Sequence, residues 1–246
     1  MLISAMVGID SRATMDIDTT LRNYPLNCES AEQIVRQIAD VEIDDKISFV
    51  IKKTEEIMED SEYQGVRLSL DAYLDKTRIP LKIDISTGDV ITPCEISFSY
   101  QLMFENRTIP LLAYPPETVL AEKLETILSR GEANTRLRDF YDVYILQRED
   151  FVVTPDALCH ALLATCRKRG HEDLLHTYAS ILDRVRQSDT MRTQWMKYQS
   201  DFDYAAGISW DTVVDTVETL CMKTLDDHAF GDELPQEESQ FEMHLL

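Results

Sequence analysis

Asp16-Ile17-Asp18 sets two carboxylates two residues apart inside the alternating run MDIDTTL. On a β-strand, side chains at i and i+2 share a face, so this spacing points both carboxylates the same way. Side by side they repel, and a divalent cation between them removes the repulsion. Ile83-Asp84-Ile85 offers a third carboxylate on a second strand, with apolar neighbours for the opposite face. Three carboxylates converging from adjacent strands can hold two Mg²⁺ ions, which lower the pKa of an attacking hydroxyl and neutralise charge on a transferring phosphate. In a chain with 45 acids, these two fragments alone favour a solvent-facing edge over a site.

A second group lies further on. In ETVLAEKLETILSRG, Lys123, Ile127 and Arg130 fall at i, i+4 and i+7, beside an apolar stripe of Leu120, Leu124, Ile127 and Leu128. In RLRDFYDVYILQR, the charges Arg138, Asp139 and Asp142 lie among Phe140, Tyr141, Val143 and Tyr144. Charges embedded in so apolar a helix face a partner or a ligand. Lys123 then serves as a point charge for a triphosphate, and Asp139 or Asp142 orients it or the incoming base. Alternatively, Arg138 and Asp142 form a surface ion pair at i, i+4 worth little.

The elements that must position these groups read as strands first and helices later. Residues 2–8 resemble the tail of a helix, and GIDSRA is a turn before the Asp-x-Asp strand. A helix is expected from Ser30, with Gln33 at the capping-box position and Ile34, Val35 and Ile38 on one face. Strands are expected over ISFVIKKTEEI, from Tyr63 to Leu70, and over IPLKIDIST, closed by Gly88-Asp89. Residues 90–112 read as irregular, with one short strand around ISFSYQLMF. Pro115-Pro116 stops the chain sharply, and ETVLAEKLETILSRG follows as a helix ended by Gly131. Further amphipathic helices are expected at PDALCHALLATCRKRG, around YASILDRVR and at WDTVVDTVETLCMKTL. The pattern predicts an α/β lobe over residues 1–113, a helical lobe over 114–225 and an acidic, disordered tail over 226–246.

Composition narrows the function. The net charge of −21 argues against a large polynucleotide footprint, because phosphate contacts need Lys and Arg; no DNA footprint is expected. The five cysteines are scattered and form no CxxC pair, which argues against a disulfide framework or a zinc site. No segment reads as a membrane span or a secretory signal, so a cytoplasmic protein is expected.

Taken in order, SRATMDID, KIDI, LAEKLETILSRG and TRLRDFYDVY resemble the AbiEii/AbiGii toxin family of nucleotidyltransferases, within the DNA polymerase β-like superfamily. The resemblance covers about residues 1–150. It implies a polymerase β-like mixed sheet with flanking helices, and transfer of a nucleoside monophosphate from an NTP to an acceptor hydroxyl, the tRNA 3′ end in characterised relatives. It also implies a cognate antitoxin as partner. Asp16 and Asp18 match the family's metal-binding pair, and Thr14 the Ser/Thr two residues before it. Asp84 matches the superfamily's third acid, a position that varies within the toxins. Lys123 matches the lysine of the third motif, and Asp139 and Asp142 the acids of the fourth. The resemblance assigns Arg12, Thr14, Lys123, Arg138 and Asp139 to the nucleotide, and Asp16, Asp18, Asp84, Lys123 and Asp142 to catalysis.

One departure stands out. The family's first motif opens with a Gly-Gly or Gly-Ser turn before the Asp pair, at a helix start whose N–H groups cradle the triphosphate. MLISAMVG would directly follow that turn. An N-terminally truncated family member is therefore expected, binding nucleotide weakly and transferring little. Two alternatives stay open: a nucleotidyltransferase for a small hydroxyl compound such as an antibiotic, and a degenerate, non-catalytic binding module.

Overall fold

The computed structural model describes residues 2–8, 16–43, 46–58, 64–102, 105–148 and 153–226. The fold is mixed α/β: strands with one packed helix fill the first half, and helices the second. The order is α1 (Leu2–Val7), β1 (Asp16–Leu21), α2 (Cys28–Ala39), β2 (Ile47–Met58), β3 (Gln64–Leu74), β4 (Thr77–Thr87), β5 (Ile96–Gln101) and β6 (Thr108–Ala113). Then come α3 (Pro116–Arg130), α4 (Leu137–Arg148), α5 (Pro155–Lys168), α6 (Leu174–Gln187), α7 (Asp189–Asp201) and α8 (Trp210–Leu225).

The main sheet runs β1-β4-β3-β2. β1 lies parallel to β4, whereas β3 is antiparallel to both β4 and β2. Alternation divides the sheet into two unlike faces. One carries Val66, Leu68, Leu70 and Ile85 and packs on Ala31 and Val35 of α2, forming a small core of its own. The other carries Asp18, Asp84 and Arg67, which the register sets side by side in one row across three strands. β5 and β6 form a separate two-stranded ribbon.

The helical part is built around α3, α4 and α8. Leu120, Leu124, Ile127 and Leu128 of α3 meet Phe140, Tyr141 and Val143 of α4 and Val213, Val214 and Val217 of α8 in one continuous core. Ile3 and Val7 of α1 join that core. Pro116 opens α3, where its missing N–H costs nothing, and Gly131, at φ +49°, ends it.

The structure corrects several expected boundaries. α2 begins two residues before Ser30: Asn27 is its cap, accepting from the Ser30 N–H at 2.8 Å, and Ser30 rather than Gln33 completes the capping box. A short cap side chain close to the exposed N–H groups takes the place that a longer Gln would fill. Ile38 is exposed while Ala31 and Val35 are buried, because the sheet covers only the first turns of α2. Residues 90–112 hold two strands rather than one, since β6 pairs with β5. α7 is a helix that the apolar pattern did not announce; its buried anchors are only Met191, Trp195 and Tyr198. Ile127 belongs wholly to the core and is fully buried, so it does not share a functional stripe with Lys123. The expected turn at GIDSRA falls mostly outside the described residues, as does the acidic tail beyond Asp226.

Candidate functional site

β1 and β4 bring the first two acids together. Ile17 pairs with Ile83 and Asp18 with Asp84, so the apolar residues between the acids anchor one face while the carboxylates share the other. The backbone of Asp16 lies opposite Lys82. The Asp16 side chain, Arg12 and Thr14 lie outside the described residues. Asp84 sits on the inner strand, and on its other side stands Arg67 of β3. The guanidinium grips both carboxylate oxygens: Nε donates to Oδ1 at 2.7 Å and Nη2 to Oδ2 at 2.6 Å. This two-pronged pair is the strongest geometry available to a carboxylate and an arginine.

Carboxylate oxygens are the donors that Mg²⁺ takes, and neighbouring Asp18 and Asp84 are of that type. Among the described residues no group of three His, Cys, Asp or Glu side chains is placed to hold a metal ion. Arg67 takes one lone pair on each Asp84 oxygen and leaves the other on each free to accept.

The second group assembles on the helical part. Lys123 of α3 sets its Nζ 2.5 Å from Asp139 Oδ1 and 3.3 Å from Asp142 Oδ2, both on α4. Asp139 and Asp142 are buried. Burial works to lower the lysine pKa, but the two carboxylates outweigh it and hold the ammonium above its ordinary range. Asp142 is thus a fully buried partner of Lys123 rather than a surface group. Asp139 Oδ2 is buried and has no hydrogen-bond partner among the described residues, an expense that a donor from a ligand or water would relieve. Arg138 is partly exposed on α4, near Tyr198, whose phenol burial and the Tyr204 hydrogen bond raise above its ordinary pKa.

Sequence reasoning missed what joins these groups. Asp89, just after Gly88, accepts from Thr20 Oγ1 and Ser86 Oγ at 2.5 Å each and from the Tyr114 hydroxyl at 2.9 Å. Thr20 also touches Ser86 and Tyr114. Burial and the nearby Asp89 charge push the Tyr114 phenol well above its ordinary pKa, so it stays protonated and donates. Close by, Thr118 on the first turn of α3 donates to the Thr92 carbonyl and accepts from the Thr92 N–H, each at 2.9 Å. Deeper in the helical part, buried Glu125 binds Arg169 and, at 2.7 Å, His171 Nδ1. Only Gly88-Asp89 after the strand and Tyr-Pro-Pro before the helix marked these places, and they read simply as turn and helix-start signals.

The mixed sheet carries neighbouring aspartates and is joined to a helical part that presents a paired lysine. Residues 1–216 match the family described as nucleotidyl transferase AbiEii toxin, type IV toxin–antitoxin system, and the chain belongs to that family of nucleotidyltransferases. The family brings an antitoxin partner with it. Two solved structures from H. pylori are also similar. One is a provisionally assigned nucleotidyltransferase, 13% identical, covering 92% of this chain and 95% of its own, with a TM-score of 0.38. The other, JHP933, is 13% identical and covers 92% and 91%, with the same TM-score. At that score neither adds to the argument. A comparison with curated proteins finds no match. Among the described residues no helix is long and apolar enough to cross a membrane.

Proposed function

We propose that the chain transfers a nucleoside monophosphate from an NTP to an acceptor hydroxyl, with Asp16 and Asp18 as ligands for two Mg²⁺ ions. When bound, the ions neutralise the triphosphate and activate the attacking hydroxyl. Residues 1–113 act as the lobe that presents the acids, and residues 114–225 as the lobe that presents Lys123. Asp84, held by Arg67, keeps the charge beside Asp18 in place and offers its remaining lone pairs as the third metal ligand. Arg12, Thr14 and Arg138 meet the phosphates. Lys123 stays an ammonium between Asp139 and Asp142 and offers a point charge to phosphate oxygens. Asp139 Oδ2, lacking a described partner, accepts from a substrate N–H or O–H.

The observation that supports this reading is the strand register that seats Asp18 directly beside Asp84 on the face away from α2, in a chain of this family. The acceptor proposed, from the resemblance alone, is the 3′ end of tRNA. The net charge of −21 favours a second reading, a small hydroxyl acceptor, because an acidic surface repels a polynucleotide. The test incubates the protein with Mg²⁺ and each α-³²P NTP, with total RNA or with a panel of aminoglycosides. Label on RNA that Asp18→Asn removes supports the first reading. Label on the small acceptor alone replaces it with the second, and label retained by Asp18→Asn overturns the assigned acids.

A further inference from the structure

We propose that the segment Asp89–Thr92 is a bolt between the two halves of the molecule, and that Asp89 and Thr118 are positioning residues for nucleotidyl transfer. This rests on the reading of Asp18 and Lys123 given above.

Three observations carry it. First, Asp89 gathers the ends of both acid-bearing strands. Thr20 lies two residues beyond Asp18 on β1, Ser86 lies two beyond Asp84 on β4, and their hydroxyls meet on one carboxyl oxygen, Asp89 Oδ2. The same register that pairs Asp18 with Asp84 pairs Thr20 with Ser86, so Asp89 locks the alignment of the acids from one step away. Second, the third hydroxyl on that oxygen is Tyr114, which stands two residues before α3. Third, Thr118, buried to 1% exposure, makes a reciprocal pair of hydrogen bonds with the backbone of Thr92. The short stretch after β4 is therefore fastened to the start of α3 at two points. α3 is a stiff rod rooted in the large core, and Lys123 lies less than two turns beyond Thr118. Fixing the start of α3 against the ends of β1 and β4 fixes the distance between Lys123 and the acids.

A transferring phosphate has to meet both groups at once, and a misplacement of about 1 Å can cost on the order of 10²-fold in rate. Loosening the bolt should thus reduce turnover more than nucleotide binding. The experiment measures kcat and the NTP KM for label transfer by the full chain in wild type, Asp18→Asn, Asp89→Ala, Asp89→Asn and Thr118→Val. Leu162→Ala, a core truncation in α5, serves as a control for destabilisation alone. Asp89→Ala and Thr118→Val are expected to lower kcat by about 10- to 100-fold with the NTP KM nearly unchanged. Asp89→Asn, whose amide oxygen can still accept, should recover most of the rate. Wild-type kcat in both bolt variants, or losses no greater than in Leu162→Ala, would overturn the proposal. Full transfer by Asp18→Asn would instead sink the acid-site reading on which it rests. Hydrogen exchange of the free protein decides the matter independently of turnover. Both bolt variants should speed exchange in β1 and the first turn of α3 while sparing α8, and unchanged exchange in β1 would refute the bolt.

Discussion

The sheet and the helical part bury apolar surface on different scales. The sheet rests on one amphipathic helix, with Val66, Leu68, Leu70 and Ile85 covered by Ala31 and Val35. Beyond the reach of α2, Ile47, Phe49, Leu74 and Ile79 remain exposed. In the helical part, six helices share one core, joined by α1, and its centre is an aromatic cluster in which Phe140, Trp195, Trp210 and Tyr198 are in contact. Local stability follows the density of buried apolar contacts. The assigned acids therefore sit on the thinly supported half and the assigned lysine on the well-supported half. Such an arrangement needs polar fastenings between the halves, and Thr20, Asp89, Tyr114 and Thr118 provide them.

The comparison can be broken most directly at the acids. Asp18→Asn should cut label transfer by at least about 10²–10³-fold, the scale of losing one well-placed electrostatic group at a reacting centre. Its melting curve should match wild type, because the Asp18 side chain is exposed and lies on the sheet face away from α2. A drop in melting temperature matching the loss of activity would make Asp18 a folding residue instead.

The next effect belongs to the helical part. Lys123→Met leaves buried Asp139 and Asp142 without their cation and should cost about 3–5 kcal/mol in denaturant unfolding. The sign of its pH dependence follows from the direction of the shift. The folded ammonium is held above the ordinary value of 10.5, so its contribution is fully present below that value and is lost as pH rises through the folded pKa. The stability gap between wild type and Lys123→Met should therefore stay level through neutral pH to 10.5 and close only above it. A gap that closes on the alkaline side before 10.5 would contradict the ion pair.

Leu68→Ala probes the smaller core and should cost about 2–5 kcal/mol. Both tryptophans of the chain, Trp195 and Trp210, lie in the helical part, so indole fluorescence follows that half alone. In Leu68→Ala the circular-dichroism transition should begin at lower denaturant than the fluorescence transition. Coincident curves would mean that the halves unfold as one unit. The smallest effect is expected at Arg67. Arg67→Ala frees Asp84 and should reduce transfer by about 10- to 100-fold, the usual range for a group that orients a site residue. Arg67→Lys should recover little, because one ammonium cannot grip two oxygens in a fork. Full recovery by lysine would show that only charge matters there.

Several features were legible in the residues themselves. Alternation in MDIDTTL and KIDIST marked the two acid-bearing strands, and Pro116 with Gly131 bounded α3 to within a residue. Apolar periodicity located α4, α5, α6 and α8. These signals are local: they come from the repeat of a strand or helix and from backbone chemistry at a turn. α7 escaped because its few buried residues leave its period weak. The start of α2 slipped because Asn27 and Ser30 are both good caps, and only packing chooses between them.

The partners were decided by the tertiary structure. Nothing in the order of residues says that β1 lies beside β4 rather than β2, and that choice alone brings Asp18 next to Asp84. It is also what leaves Arg67 across from Asp84 on the third strand. Lys123 could have paired with any of several nearby acids; the crossing of α3 and α4 selects Asp139 and Asp142. Asp89 looked like a turn residue, and it became a hub when three hydroxyls from β1, β4 and the approach to α3 converged on it. Strand and helix propensities depend on neighbours a few residues away, whereas ion pairs and hydroxyl clusters depend on groups brought together from as far as 94 residues apart. The chain's own pattern therefore determines which elements form and which faces carry charge, and only the packing of those elements determines which charges meet.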